Sequence, residues 1–221
     1  MQIIKEVFSN LSSWGSHPVL LEPRKDRSAL SVSADELLSG IRELSRAFHD
    51  WGIGKNTPVL LFLDNSADFV FAFLALLNVE AVPVPVKTEY RRMELAEIFG
   101  NCRPRAVVCE ISHLRFVEEF CTGCALIVRE GGRLRLKNPA PEADGPAVLG
   151  ENILSINYTY RGYGYPLGAL LPEEQHRHGA RVVQHELAGK PGDIMMILLP
   201  LTHIFPMVCG LFLCLMYRIT A

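Results

Sequence analysis

Residues 58–86 read Pro58-Val59-Leu60-Leu61-Phe62-Leu63-Asp64-Asn65-Ser66-Ala67-Asp68-Phe69-Val70-Phe71-Ala72-Phe73-Leu74-Ala75-Leu76-Leu77-Asn78-Val79-Glu80-Ala81-Val82-Pro83-Val84-Pro85-Val86. Residues 58–63 form a continuous apolar run, the pattern of a strand buried on both faces. Asp64, Asn65 and Ser66 offer side-chain oxygens that can cap a helix over residues 67–78. That helix is apolar nearly all round and shorter than the ~20 residues a bilayer needs, so it reads as a core helix. Residues 81–86 are again strand-like, but Pro83 and Pro85 cannot donate to a ladder, which places this strand at a sheet edge or a strand end.

Strand, helix, strand continues outward in both directions. Upstream, Ser33-Ala34-Asp35-Glu36 is a capping box. Leu37, Ile41, Leu44, Phe48 and Trp51 follow at helical spacing, and Gly52 ends the helix. Residues 19–21 and 29–32 flank a turn at 23–26 and predict a hairpin, preceded by an amphipathic lead-in carrying Ile4, Val7, Phe8 and Leu11 on one face. Downstream, helices over 91–99 and 114–120 alternate with strands over 106–109 and 125–128. The fold class expected is therefore α/β, with largely parallel sheets flanked by helices. Residues 1–130 read as a first subdomain, the Gly- and Pro-rich 131–150 as a linker, and 151–221 as the start of a second subdomain.

The second part holds the stretch Asn157-Tyr158-Thr159-Tyr160-Arg161-Gly162-Tyr163-Gly164-Tyr165-Pro166-Leu167-Gly168-Ala169. It follows a β-branched run at 153–156 and precedes a helix start at Pro172-Glu173-Glu174. A glycine-bearing loop between a strand and a helix can turn several backbone N–H groups toward one anion. Spacing alone leaves a plain tight turn open as well, and no Gly-Lys-Ser/Thr closes the loop. A strand is expected over 194–199. A core helix is expected over 207–217, since Pro200 and Pro206 interrupt what a hydropathy window would take for a membrane span.

The chain has 221 residues, 49% of them hydrophobic, and a formal net charge of −2. That suffices for a sizeable core and disfavours electrostatic binding of nucleic acid. The Arg and Lys residues within 129–137 are interrupted by Glu130 and read as a solvated hairpin. Of six cysteines, only Cys121 and Cys124 lie close together, with no second pair at zinc-site spacing. Reduced thiols, no secretory leader and a cytoplasmic protein are the expectation. The polar-free run into Arg218-Ile219-Thr220-Ala221 reads as a truncated chain.

Taken in order, the capped helix, Trp51-Gly52-Ile53-Gly54-Lys55-Asn56-Thr57-Pro58-Val59, Asp64-Asn65-Ser66, Phe73-Leu74-Ala75-Leu76-Leu77, Ala81-Val82-Pro83-Val84-Pro85, the Tyr-Thr glycine stretch and Leu199-Pro200-Leu201-Thr202-His203-Ile204-Phe205 resemble a known family. The chain is similar, over about residues 17–221, to the N-terminal part of the adenylate-forming ligases, the acyl-CoA synthetase and AMP-binding enzymes. The resemblance implies two stacked subdomains of an incomplete acyl-CoA synthetase-like large domain. It implies a ligase that uses ATP and Mg2+ to turn a carboxylic acid, a fatty acid by the apolar surroundings of His203, into an acyl-adenylate. Transfer to the thiol of CoA, or to the phosphopantetheine arm of an acyl carrier protein, would follow.

Family members carry Tyr-Thr-Ser-Gly-Thr-Thr-Gly-x-Pro-Lys-Gly in the phosphate loop. Tyr158, Thr159, Gly164, Pro166 and Gly168 match it, whereas Tyr160, Arg161, Gly162, Tyr163 and Leu167 do not. By resemblance, Thr159, Arg161, Gly162, Gly164 and Gly168 are the candidate nucleotide-binding residues, with Arg161 replacing the missing positive charge. His203 is the candidate substrate-binding residue, a satisfied core histidine being the bland alternative. His176, His178 and His185 fall in a polar helix and attract no role. The adenine-binding segment, the ribose-binding aspartate and the C-terminal lysine of the family would lie beyond Ala221, so no catalytic residue is assigned. A non-catalytic relative acting as a binding or scaffold protein is the competing reading, and a generic nucleotide-binding α/β domain is a third.

Overall fold

The computed structural model describes residues 2–130, 133–139, 152–160 and 165–221. Helix α1 (Gln2–Trp14) buries Ile3, Ile4, Val7, Leu11 and Trp14 along one stripe. Strands β1 (Pro18–Pro23) and β2 (Ala29–Ser33) form the expected antiparallel hairpin. Helix α2 (Ala34–Asp50) starts on the capping box: Glu36 N–H donates to Ser33 Oγ at 3.2 Å, and Ser33 N–H donates to the Glu36 carboxylate at 2.8 Å.

The strand at the centre of the sequence reading is β3 (Pro58–Phe62), followed by α3 (Ala67–Asn78) and β4 (Val82–Pro85). Then come α4 (Arg92–Cys102), β5 (Ala106–Glu110), a 3-10 turn at Ile111–His113, α5 (Leu114–Glu118), β6 (Ala125–Glu130) and β7 (Arg133–Asn138). These strands make one five-stranded sheet in the order β4-β3-β5-β6-β7. It is parallel except for β7, which returns antiparallel on β6 as a hairpin. The architecture is the expected α/β fold with a mainly parallel sheet.

The period of two in a strand sorts β3 between two cores. Val59 and Leu61 join the cluster formed by α1, α2, α3 and the C-terminal helices. Leu60 and Phe62 join Leu95, Ile98, Ile156 and Tyr158 on the other side. The prolines of β4 do what their chemistry dictates. Val82 N–H donates to Thr57 and Val86 N–H to Leu61, both toward β3. The alternate positions facing away are Pro83 and Pro85, which have no N–H. The ladder ends there, and β8 (Ile153–Tyr160) packs beside β4 without extending it. At the carboxyl ends of the parallel strands, where open α/β sheets ordinarily take ligands, the Arg129 guanidinium lies between Asp68 and Glu110. These ion pairs occupy the β5–β6 part of that end of the sheet.

β8 pairs antiparallel with β9 (Pro166–Pro172), which leads into α6 (Glu173–Leu187). An extended segment follows, then α7 (Ile204–Pro206), a π-helical stretch Met207–Phe212 and α8 (Leu213–Tyr217). This last helical run is a buried core element, as expected. No helix among the described residues is long and apolar enough to cross a membrane. The strand expected over 194–199 is not part of a sheet. Only Ile194 bridges, to Thr220, while Ile194, Met196 and Leu198 are exposed by 70–81%.

Candidate functional site

The glycine stretch differs from the strand–loop–helix reading. Both its flanks are strand, with Asn157 opposite Ala169, Tyr158 opposite Gly168, Thr159 opposite Leu167 and Tyr160 opposite Pro166. The apolar residues 167–171 pair across with 155–159 instead of running out as loop. Helix α6 therefore begins at the far end of β9, and seven strand residues separate it from Tyr165, about 23 Å. A helix-end field fades within a turn of the helix, so α6 adds nothing at Thr159 and Pro166, at the other end of the hairpin. Of the candidate nucleotide residues, Arg161, Gly162 and Gly164 lie outside the described residues. Thr159 and Gly168 are both exposed, near the turn end of the hairpin.

The hairpin is anchored from below. Tyr158 is 5% exposed and its hydroxyl donates to Asn101 Oδ1 at 2.5 Å. Its ring lies across Gly168, where an added Cβ would meet Cε1 and Cζ at 3.0 Å. Gly168→Ala forces the ring or β9 to shift, with an expected cost of about 1–3 kcal/mol. The measurement is urea unfolding. A variant as stable as the parent would show that the Tyr158–Gly168 contact yields freely.

Next to it runs a chain of buried polar groups. Ser155 Oγ donates to Asn157 Oδ1 at 2.8 Å and lies 3.5 Å from His176 Nε2. The other ring nitrogen, His176 Nδ1, is 3.2 Å from the Pro172 carbonyl and donates to it. Asn157 Nδ2 donates to the Thr202 carbonyl at 3.3 Å. Burial pushes the His176 imidazole down to about 4, so it is neutral at pH 7. This residue, set aside in the sequence as part of a polar helix, is fully buried against Phe212. The satisfied core histidine is His176, and His203 is exposed.

His203 caps α7, and its side chain makes no hydrogen bond among the described residues. Partial burial, then the Lys87 ammonium, hold its imidazole below the ordinary histidine value. Beside it is a cavity of about 110 Å3 lined by Leu63, Asp64, Lys87, Thr88 and Thr202 among others. Thr202 Oγ1 is buried without a partner among the described residues. Asn65, read from sequence as a helix cap, instead pins this region. Its Nδ2 donates to the Leu199 carbonyl at 2.9 Å, and its Oδ1 accepts from Leu201 N–H at 2.7 Å. Ser66 is the cap, accepting from Phe69 N–H. Ser155, Asn157 and Asn65 are the site residues the sequence reading missed. A polar side chain inside a β-branched run, as at 153–157, is the one signal that marks the first two.

The described donor set fits a phosphate-bearing ligand only with help from the turn. Thr159 offers an exposed hydroxyl, and its cross-strand neighbour Leu167 presents an alkyl group where the family resemblance calls for a lysine. The charge would have to come from Arg161.

The family described as AMP-binding enzyme matches residues 14–221. The chain is 23% identical to 4-coumarate–CoA ligase 2 of Nicotiana tabacum, over 92% of this chain and 40% of that protein. It is 21% identical to the crotonobetaine/carnitine–CoA ligase of Escherichia fergusonii, over 76% of this chain and 36% of that one. It thus spans about two fifths of the length of these relatives. Among solved structures, CmiS6 superposes with a TM-score of 0.83 at 20% identity, over 99% of this chain and 51% of that one. A benzoate CoA ligase from Burkholderia xenovorans superposes at 0.81 and 19% identity, over 99% and 44%. With the family match covering nearly the whole chain, the chain belongs to the AMP-binding enzyme family of adenylate-forming ligases.

Proposed function

We propose that this chain is part of an acid–CoA ligase that activates a small carboxylic acid with ATP and passes the acyl group to a thiol. The observation that carries the reading is the bond from Asn157 Nδ2 to the Thr202 carbonyl. It ties the strand entering the glycine turn to the peptide preceding His203, so the phosphate side and the acid side are held as one unit. The CoA-ligase relatives support CoA as the acceptor. Thr159, Arg161, Gly162 and Gly164 would hold the phosphates of ATP with its Mg2+, Gly168 letting the hairpin close over Tyr158. The neutral imidazole of His203 would orient the acid. Leu63, Leu198 and Pro200 share the lining of the cavity with Asp64, Asn65, Lys87, Thr88, Glu89 and Thr202, a mixed surface that suits a small carboxylic acid, and the fatty acid is what the resemblance alone implies. An acyl carrier protein remains the second acceptor class, and a cytoplasmic setting suits both.

The test is carboxylate-dependent exchange of pyrophosphate into ATP by the complete protein carrying this chain, assayed with benzoate, 4-coumarate and octanoate. Exchange with at least one acid is expected. Nucleotide binding without exchange would favour the scaffold reading, which the altered turn sequence supports. In the same protein, Arg161→Ala should weaken ATP binding roughly 10- to 100-fold, the worth of a charge-assisted phosphate contact. Unchanged ATP affinity would remove Arg161 from the site.

A further inference from the structure

Cys121-Thr122-Gly123-Cys124 carries the one close pair of cysteines in the sequence, and the ligase reading makes no use of it. The pair lies between α5 and β6. Thr122 and Gly123 form a tight turn, in which Gly123 takes φ +101°, a left-handed conformation that a residue without Cβ enters freely. The first and last Cα atoms of such a turn lie within about 7 Å of each other. A disulfide spans about 4.4–6.8 Å between Cα atoms. The backbone thus already holds the two cysteines at bonding range. Their side chains also meet, since the Cys121 S–H donates to the Cys124 sulfur.

All six cysteines are free, but they are not equivalent. Burial pushes Cys102, Cys109 and Cys214 up to about 12, so at pH 7 they are unreactive thiols. In the pair the mutual hydrogen bond is the largest influence. It pulls the Cys124 thiol below its ordinary value and pushes Cys121 above its own. The first proton lost therefore leaves a thiolate on Cys124, with the Cys121 S–H against it. Strand β6 begins at Ala125, directly after the pair, so no helix end adds its field to that thiolate. Cys124 is buried and Cys121 half-buried, so the pair meets solvent through Cys121. A metal would need more ligands than two thiolates, and no group of three or more His, Cys, Asp or Glu side chains suited to one occurs among the described residues.

We propose that Cys121 and Cys124 form a reversible oxidation site, which hydrogen peroxide closes to an intramolecular disulfide. The Cys124 thiolate attacks one peroxide oxygen and the O–O bond breaks. Cys124 becomes a sulfenic acid, and the other oxygen takes up the proton Cys124 released and leaves as water. The Cys121 sulfur then attacks the sulfenic sulfur. The S–S bond forms, and the sulfenic oxygen leaves as a second water with the proton from Cys121. Two thiols lose two electrons in all, and one peroxide is reduced to two waters. A dithiol reductant reverses the step by exchange. The closed disulfide ties the segment leaving α5 to the first residue of β6. The proposal does not depend on the ligase reading.

The test treats the complete protein carrying this chain with hydrogen peroxide, alkylates the remaining thiols and weighs the tryptic peptides. Residues 116–129 hold both cysteines with no Lys or Arg before Arg129, whereas Cys102 and Cys109 fall in peptides 93–105 and 106–115. Peptide 116–129 should appear unalkylated and lighter by two hydrogens, at least ~10-fold more abundant than before peroxide. Dithiothreitol should restore the dithiol. Cys102, Cys109 and Cys214 should become alkylated only on unfolding, which shows that the pair closed in the folded protein. Cys121→Ser should abolish the lighter peptide and leave Cys124 as a sulfenic acid that dimedone traps. A link from 116–129 to 93–105 or 106–115, sulfinic or sulfonic acid at both positions without a disulfide, or a peptide that peroxide leaves unchanged would overturn the proposal.

Discussion

Replacing Phe212 with alanine should lower the unfolding free energy by about 3–5 kcal/mol. Phe212 is fully buried and lies in the π-helical stretch between α7 and α8. Its ring stands edge-on to Phe73 of α3 at 6.1 Å and to His176 of α6 at 5.1 Å. It thus joins the helix beneath the parallel sheet to the helix behind the glycine hairpin. Removing it opens a cavity bounded by helices packed elsewhere, which cannot collapse into the space. Domains of this kind are stable by about 5–15 kcal/mol in total, so about a fifth or more of the stability is at stake. Phe205→Ala is the control: the same chemical change about two turns earlier, at a side chain 63% exposed, with an expected cost below ~1 kcal/mol. Denaturant unfolding of both variants decides. Equal losses would mean that Phe212 is not the junction the packing implies.

Where the sequence was legible, one local signal agreed with the global need. The apolar run at 58–63, the cap at Ser66 and the prolines at 83 and 85 each have a single structural solution, and β3, α3 and the edge strand β4 follow. Ser33 and Glu36 likewise form the box their spacing requires. Legibility failed where pairing partners decide. Leu167 to Leu171 carry no strand period, and only the register with β8 turns them into β9. Residues 194–199 have strong strand character, yet character alone cannot supply a neighbour to pair with. Which of the two histidines is buried follows from the same kind of context. His176 sits among polar residues in sequence, but the one helical face that meets Phe212 and Ser155 is buried. His203 sits among apolar residues whose own side chains, Ile204 and Phe205, point outward with it.

The buried His176 makes stability depend on pH in a defined window. In the unfolded chain an imidazole takes a proton near 6.5, and in the fold burial delays this until about 4. Between those values the unfolded state binds the proton and the folded state does not, so stability falls as pH drops through the window and is fully present above about 6.5. The difference amounts to roughly 3 kcal/mol by pH 4. The groups that meet the ring are the Pro172 carbonyl, the Ser155 hydroxyl and the Phe212 edge, none of them a carboxylate that would hold the charged form. His176→Gln, which keeps a donor for Pro172, should flatten the profile between pH 6.5 and 4 whatever its absolute stability. The comparison is the slope of unfolding free energy against pH in parent and variant, which cancels the protonation of surface carboxylates common to both. Parallel slopes would show that His176 takes up its proton in the fold as readily as in the unfolded chain. The chain of hydrogen bonds through Ser155 and Asn157 to Thr202 would then have to accommodate a charged imidazole at its buried end.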